Sequence, residues 1–482
     1  MRVRRKILRT PLRALEPYFE AIRAKRGVEE GYPTDVYFEA ENGGGEAEHP
    51  HIPQTRADLT SLPLVTIDPE GSLDLDQALF IERAGDGHRV YYAIADVAAH
   101  VVPDGPLDRD THRRVETVYC PDRRVGLHPP VMSEGYASLL AGQRTKAVVW
   151  TIGLDGTGEI RDVAVERAWV SSRRQYSYEE LSERPDQASR ALLGLLREVG
   201  DRRRALTRKR GGVTLPKPEQ EVVVDGDSAS LVFRAATPVE DDNAHISLLT
   251  GEAAASLMLD GGAGILRTMP PADDRAVRRL RHQARALGVT WRDGETYADC
   301  LARLDARTPE AAAFLAEATT LFRGARWVPF HDANPELPRP EITTHGALGV
   351  PYAHVTAPLR RLADRYTTEI CLAHATKSRI PEWVETALPG IGEEMEHGTR
   401  AARDVDRACI DAVEAAVLAP YVGEEFDGVG LDDRTVQLAR PAVVARCEGR
   451  VKAGKDQTVR LERASLEAGA LFSVAGAKGD KP

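Results

Sequence analysis

The segment Thr66-Ile67-Asp68-Pro69-Glu70-Gly71-Ser72-Leu73-Asp74-Leu75-Asp76-Gln77 sets three aspartates at i, i+6 and i+8. Carboxylates gathered in one place repel one another unless a cation neutralises them. Pro69, Gly71 and Ser72 mark a turn after the first aspartate. Side chains of an extended segment alternate, so Asp74 and Asp76 point the same way. A turn that returns Asp68 to their side would make an all-oxygen site suited to Mg²⁺ or Mn²⁺ rather than zinc. A solvated acidic turn or a structural Ca²⁺ loop would use the same residues, and spacing alone leaves both open. Apolar flanks, Leu62, Leu64, Val65 and Ile67 before and Ala78, Leu79, Phe80 and Ile81 after, set the turn on core elements.

A second constellation is His354-Val355-Thr356-Ala357-Pro358-Leu359-Arg360-Arg361-Leu362-Ala363-Asp364. Two adjacent arginines behind a proline suit phosphate, because the planar guanidinium grips phosphate oxygens in pairs. Arg360 is read either as such a clamp or as an ion-pair partner of Asp364 at i+4, and Arg361 as the better structural partner. The Pro358 signal predicts a helix over 356–374, with both arginines in its first turn beside the positive end of the dipole.

These two segments resemble the signatures of the RNase II/RNase R (RNB) family. The family runs threonine-isoleucine-aspartate to aspartate-x-aspartate-aspartate-alanine, then histidine-x-threonine-serine-proline-isoleucine-arginine-arginine. Tyr91–Val97, Val118–Arg124 and Leu127–Leu140 resemble three further segments in family order, with a weaker echo at Arg208–Gly212. Gln77 stands where the fourth family aspartate falls, Ala357 replaces the serine, and Thr368-Glu369 replaces a histidine-arginine pair.

The resemblance implies a Mg²⁺-dependent (Mn²⁺ possible as substitute) hydrolytic 3′→5′ exoribonuclease that releases nucleoside 5′-monophosphates from the single-stranded 3′ end of RNA. It implies Asp68, Asp74 and Asp76 as metal ligands, with Asp76 central, and Arg360 on the scissile phosphate. Gln77 could complete the metal shell through its uncharged amide oxygen or point away from it. Tyr119 would stack on the terminal base. The opposing family aromatic should fall near Leu266–Pro271, where no aromatic occurs. His354 and Arg361 are further RNA-binding candidates, with a backbone-satisfying role as the alternative for His354. Two rival functions stand beside this one: an RNA-binding or regulatory relative weakened through Gln77, and an unrelated metal-dependent phosphohydrolase on small molecules.

The chain has 482 residues, 42% hydrophobic and 29% charged, and a formal net charge of −10. That length exceeds one ordinary core and predicts roughly two to four domains. No run reaches ~18 apolar residues, so no membrane span is expected. The basic start lacks an apolar stretch and does not read as a signal peptide. Five scattered cysteines without CxxC spacing predict a reducing, cytoplasmic setting with no disulfides and no zinc. A monomer is expected.

The predicted fold class is α+β: an RNB-type catalytic domain, a mixed β-sheet wrapped by helices, at 63–415. A short helical module, possible as helix-turn-helix type, precedes it at 1–62. An OB-fold RNA-binding barrel follows at 416–475, then a tail at 476–482. Within these bounds Leu12, Leu15, Tyr18, Phe19 and Ile22 predict a helix capped by Thr10-Pro11 and ended by Gly27. Val36–Phe38 reads as a short strand, and Asn42 to Pro53 as a loop. Strands are predicted at 64–67, 78–82, 90–94, 147–152 and 160–165, the last two joined by a turn at Asp155-Gly156. Helices are expected from about 178 to 330. The trailing barrel is read from 435–438, 442–446, 458–462 and 470–474.

Overall fold

The computed structural model describes residues 8–44, 52 and 55–475. The tail expected at Ala477–Pro482, and residues 45–51 and 53 of the expected loop, lie outside that range.

A mixed five-stranded sheet carries the site. Its order is Ala57–Asp58, Ile160–Ser171, Arg144–Leu154, Gly87–Ala95 and Gln77–Ala84, antiparallel except for the first pair. The period of two sorts its side chains. Leu79, Ile81, Val90, Tyr92, Ile94, Val148, Trp150 and Ile152 fill one face. The smaller Ala78, Ala93, Ala147 and Val149 pack the other with Leu64 and Leu75. The helices Pro238–Gly261, Leu362–Thr376 and Glu382–Leu418 lay Ile246, Leu249, Tyr366, Ile370 and Leu388 on the large-residue face. Trp150 is wholly buried there, and truncating such a side chain costs about 3–5 kcal/mol.

The hairpin between Arg144–Leu154 and Ile160–Ser171 turns as expected, over 155–159. The Asp155 carboxylate accepts from the amides of Thr157 and Glu159, and the left-handed residue is Gly158, φ +88°, not Gly156.

The closed barrel orders Glu425–Gly430, Thr435–Leu438, Val443–Glu448, Gly469–Val474 and Asp456–Ser465, an OB-type arrangement. Its inner residues Phe426, Val436, Leu438, Val443, Leu461 and Phe472 share one core with Val405, Cys409, Val413 and Val417 of the long helix and with Leu15 and Phe19.

Several expectations are corrected. Thr10–Pro11 is a short strand against Ala229 and Ser228 that leads, without a side-chain cap, into a 3-10 turn at Leu12–Ala14, and the α-helix begins only at Glu16. Val36–Phe38 lies inside the helix Thr34–Asn42, because Val36 and Ala40 share the buried face. The two leading helices belong to different cores, Phe19 to that of the barrel and Val36 to that of Val97 and Met132. The expected all-helical stretch contains the hairpin Glu219–Asp225 with Ser228–Arg234 and the pair Ala263–Thr268 with Arg326–His331. The first hairpin hid because charged Glu219, Glu221 and Asp225 interrupt its apolar pattern.

The helix expected from Thr356 starts only at Leu362, and Arg361 is its extended N-terminal flank, φ −136°, ψ 130°. The Asp364 carboxylate accepts from the Ala357 amide at 2.7 Å and from Arg361 Nε at 3.0 Å, which holds 357–361 as a loop. Arg360 therefore stands before the helix, not in its first turn.

Candidate active site

Asp68 ends the strand Thr66–Asp68, which runs parallel to Gln175–Ser177. Gly71, φ +79°, then reverses the chain, a conformation that strains any residue with a Cβ. Past the turn the segment is stitched to 138–139: the Leu75 amide donates to Ser138 Oγ at 2.9 Å and the Leu139 amide to Leu75 O at 3.0 Å. Leu75 is fully buried on the side of Leu64, so its neighbours Asp74 and Asp76 face the other way, as alternation requires.

Asp76 faces the 356–361 loop. Asp76, 1% exposed, accepts from the Leu359 amide at 2.7 Å through Oδ1 and from Arg360 Nε at 2.6 Å through Oδ2. Asp74 pairs with Arg124, which also holds Glu134. The Asp68 carboxylate makes no hydrogen bond among the described residues. Burial pushes Asp68 up to about 7, against the pull of Arg360 and helped by Asp76 and Asp74. Burial pushes Asp76 up to about 6, against Arg360 and its two hydrogen bonds. The charges of Asp76 and Asp74 thus act on Asp68, and that of Asp74 on Asp76.

They do not form a finished ligand cage. Among the described residues no group of three or more His, Cys, Asp or Glu side chains is arranged to hold a metal ion. The donor set still fits a hard divalent cation in kind: all its atoms are carboxylate oxygens, which call for positive charge beside them when buried. Two guanidinium groups occupy that role in this arrangement, Arg360 on Asp76 and Arg124 on Asp74. Gln77 is turned elsewhere, its Nε2 donating to the carbonyl of Thr356.

Tyr119 borders the site, half exposed at 50%, with its hydroxyl against the Arg360 guanidinium. Arg361 pairs with Asp364 and not with the carboxylate cluster. His354 is set apart, packed against Trp327 at 4.9 Å and Tyr352 at 5.2 Å between ring centres. Burial and the nearby Arg361 and Arg267 hold its imidazole neutral, well below the usual range. Of the expected residues the fold thus gathers Asp68, Asp74, Asp76, Arg360 and Tyr119; Gln77 and Arg361 brace the loop, and His354 is a packing residue.

Comparison with known families decides the relationship. The RNB domain profile matches residues 56–377, and the profile of the RNase II-type exonuclease C-terminal S1 domain matches residues 424–472. The chain belongs to the RNB family. Ribonuclease R of Vibrio cholerae is 26% identical over 413 residues, covering 78% of this chain and 48% of that protein. The chain spans about half the length of the curated relatives it matches. The apo form of Mycoplasma genitalium RNase R shares the fold with a TM-score of 0.82 at 19% identity, covering 95% of this chain and 77% of that one. Yeast Ssd1, described as a pseudonuclease, has a TM-score of 0.63 at 16% identity, covering 89% of this chain and 56% of that one.

Two residues of this RNB chain escaped sequence reasoning. Arg124, the partner of Asp74, closes the Tyr119 segment, and its place in that shared segment was its only signal. Glu369, which departs from the family pair, is buried against Arg167, and Arg167 in turn holds Asp96 at 3.0 Å. That departure is absorbed by a buried ion network. The missing aromatic near Leu266–Pro271 is not replaced by an open ring: Trp327, opposite Arg267 on the paired strand, is buried with the Arg267 guanidinium 5.0 Å from its centre.

Proposed function

We propose that this RNB protein is a divalent-cation-dependent 3′→5′ exoribonuclease that hydrolyses single-stranded RNA to nucleoside 5′-monophosphates. The observation that carries it is the Arg360–Asp76 contact beside the half-exposed Tyr119. Asp76 takes Arg360 by Nε alone; the Tyr119 hydroxyl also lies against the guanidinium, and with the side chain 38% exposed its open side can still turn N–H groups to phosphate oxygens. A guanidinium fixed before charge develops stabilises a transition state without reorganisation. Tyr119 offers its face to a terminal base.

Asp68, Asp74 and Asp76 would hold Mg²⁺ or Mn²⁺. Such an ion supplies charge neutralisation and a water acidified for attack. The trailing barrel would contribute phosphate contacts. No helix among the described residues is long and apolar enough to cross a membrane. A cytoplasmic monomer acting on RNA completes the reading.

A second reading, an RNA-binding relative with weakened catalysis, is favoured by one observation: two of three carboxylates are paired with arginines and the fourth family position is an amide engaged with backbone. An end-labelled oligoribonucleotide incubated with Mg²⁺, Mn²⁺ or chelator separates the two. Release of labelled mononucleotide that chelator abolishes supports the nuclease. Binding without cleavage under either metal supports the second reading.

A further inference from the structure

Gln77 opens the edge strand of the sheet, opposite Ile94. Its amide nitrogen donates to the Thr356 carbonyl across 279 residues of sequence. Asp76, the residue before it, accepts from Leu359 N and Arg360 Nε. Two adjacent residues thus hold the arginine loop by three hydrogen bonds, one at its start and two at its tip. The loop is not helical, and its other ties gather at its 357–361 end: the Asp364 carboxylate takes the Ala357 amide, the Leu359 carbonyl meets His128 Nδ1 at 3.0 Å, the Arg360 carbonyl accepts from the Thr117 amide at 2.9 Å, and the Arg360 and Arg361 amides donate back to the Ala357 carbonyl.

The chemistry of the Gln77 bond is specific. A carbonyl oxygen only accepts, so the residue facing it must donate. An ionised carboxylate at position 77 has no donor and would set two oxygens against each other. Thr356 is buried, so its carbonyl would then be left poorly satisfied. The amide that replaces the family carboxylate is therefore matched to the carbonyl it meets.

The geometry points to Gln77 as a positioning residue: it fixes the Thr356 end of the loop and thereby sets Arg360 at the angle from which it meets phosphate. This rests on the reading of Arg360 as the phosphate clamp. Gln77 touches no substrate in this role and acts through Arg360.

The test is a double-mutant cycle in the full chain. Gln77→Met keeps the length and removes the donor, and Gln77→Glu is the second probe should the Met variant melt below the assay temperature. Each is made alone and with Arg360→Ala. Turnover of an oligoribonucleotide is followed at saturating Mg²⁺ and across a Mg²⁺ titration. Gln77→Met is expected to lower kcat on the order of 10-fold, with KM and half-saturating Mg²⁺ within about two-fold. In the Arg360→Ala background the same change is expected to cost nothing further, because the residue it positions is gone. Equal losses in both backgrounds overturn the proposal, as does full turnover by both Gln77 variants. A lower Mg²⁺ requirement in Gln77→Glu overturns it too, by placing position 77 among the ion's ligands. Should Arg360→Ala alone keep full turnover, the assignment of Arg360 falls and this inference with it; loss in Arg360→Ala but not in the Gln77 variants sinks only the inference.

Discussion

Arg360 Nε lies 2.6 Å from Asp76 Oδ2, although 284 residues separate them in the chain. The contact closes the two signature segments on each other. It also ties the charge of the carboxylate to the direction of the guanidinium.

Asp76→Asn keeps the shape but turns one acceptor into a donor facing Arg360 Nε or the Leu359 amide. Hydrolysis is expected to fall by at least about 100-fold, the scale of losing a preorganised electrostatic group. RNA affinity should stay within a few-fold, because phosphates gripped elsewhere dominate binding. Single-turnover cleavage and filter binding on the same preparation check both. Near wild-type cleavage would remove Asp76 from the centre of the site.

Tyr119→Ala removes an exposed ring that the core does not use. Base stacking on an aromatic is worth about 1–3 kcal/mol, so affinity for the RNA 3′ end should drop about 5- to 150-fold with little change in Tm. Tyr119→Phe should bind normally. A large fall in Tm for Tyr119→Ala would show that the ring is structural instead.

The barrel's RNA contacts are best tested by charge, since its core is shared with Phe19 and Val413 and deletion would expose that core. Arg434, Arg446 and Arg450 line one 540 Å³ cavity on its surface, with Asp433 and Glu448 as the opposing charges. If two of these arginines each neutralise a phosphate, Arg434→Ala with Arg450→Ala should reduce the log–log salt slope of RNA binding by about 1.4. An unchanged slope would place the RNA on another face.

Glu414 offers a pH test away from the site. It is buried between the long helix and the barrel, accepting from Gln220 Nε2 at 2.5 Å and the Val444 amide at 3.3 Å. Burial pushes its carboxyl up to about 7. The unfolded chain releases this proton near pH 4–5, so its contribution to stability is full below that range and is lost as pH rises through about 7. The loss is at most about 3 kcal/mol. Glu414→Gln should flatten this decline. Urea midpoints from pH 5 to 8 for both proteins decide it; parallel curves would mean that Glu414 does not titrate in this window.

Much of the site was legible because its chemistry is local. The turn after Asp68 needs the left-handed Gly71, and the alternation Asp74-Leu75-Asp76 needs only an extended backbone and an apolar residue to bury between two charged ones. The strands 78–82, 90–94 and 147–152 declared themselves by period, and so did the barrel strands. The Glu219–Asp225 strand did not, since its outward face is charged and its inward face short. Val36–Phe38 read as a strand because a three-residue apolar run carries no period; packing of Val36 and Ala40 against Met132 made it helical.

The sequence by itself determined the residue types of the site, the turn and alternation that align Asp74 with Asp76, and the family to which these motifs belong. Only the tertiary structure decided how they are used. Proline rules place a helix after Pro358, yet Asp364 captures the Ala357 amide and holds the arginines in a loop. The family resemblance offers Gln77 as a fourth ligand, yet Thr356 arrives 279 residues later with a carbonyl that only a donor can satisfy. Partner choice for a polar side chain is settled by which buried groups the fold brings within about 3 Å of it, and that distance is not written in the local sequence.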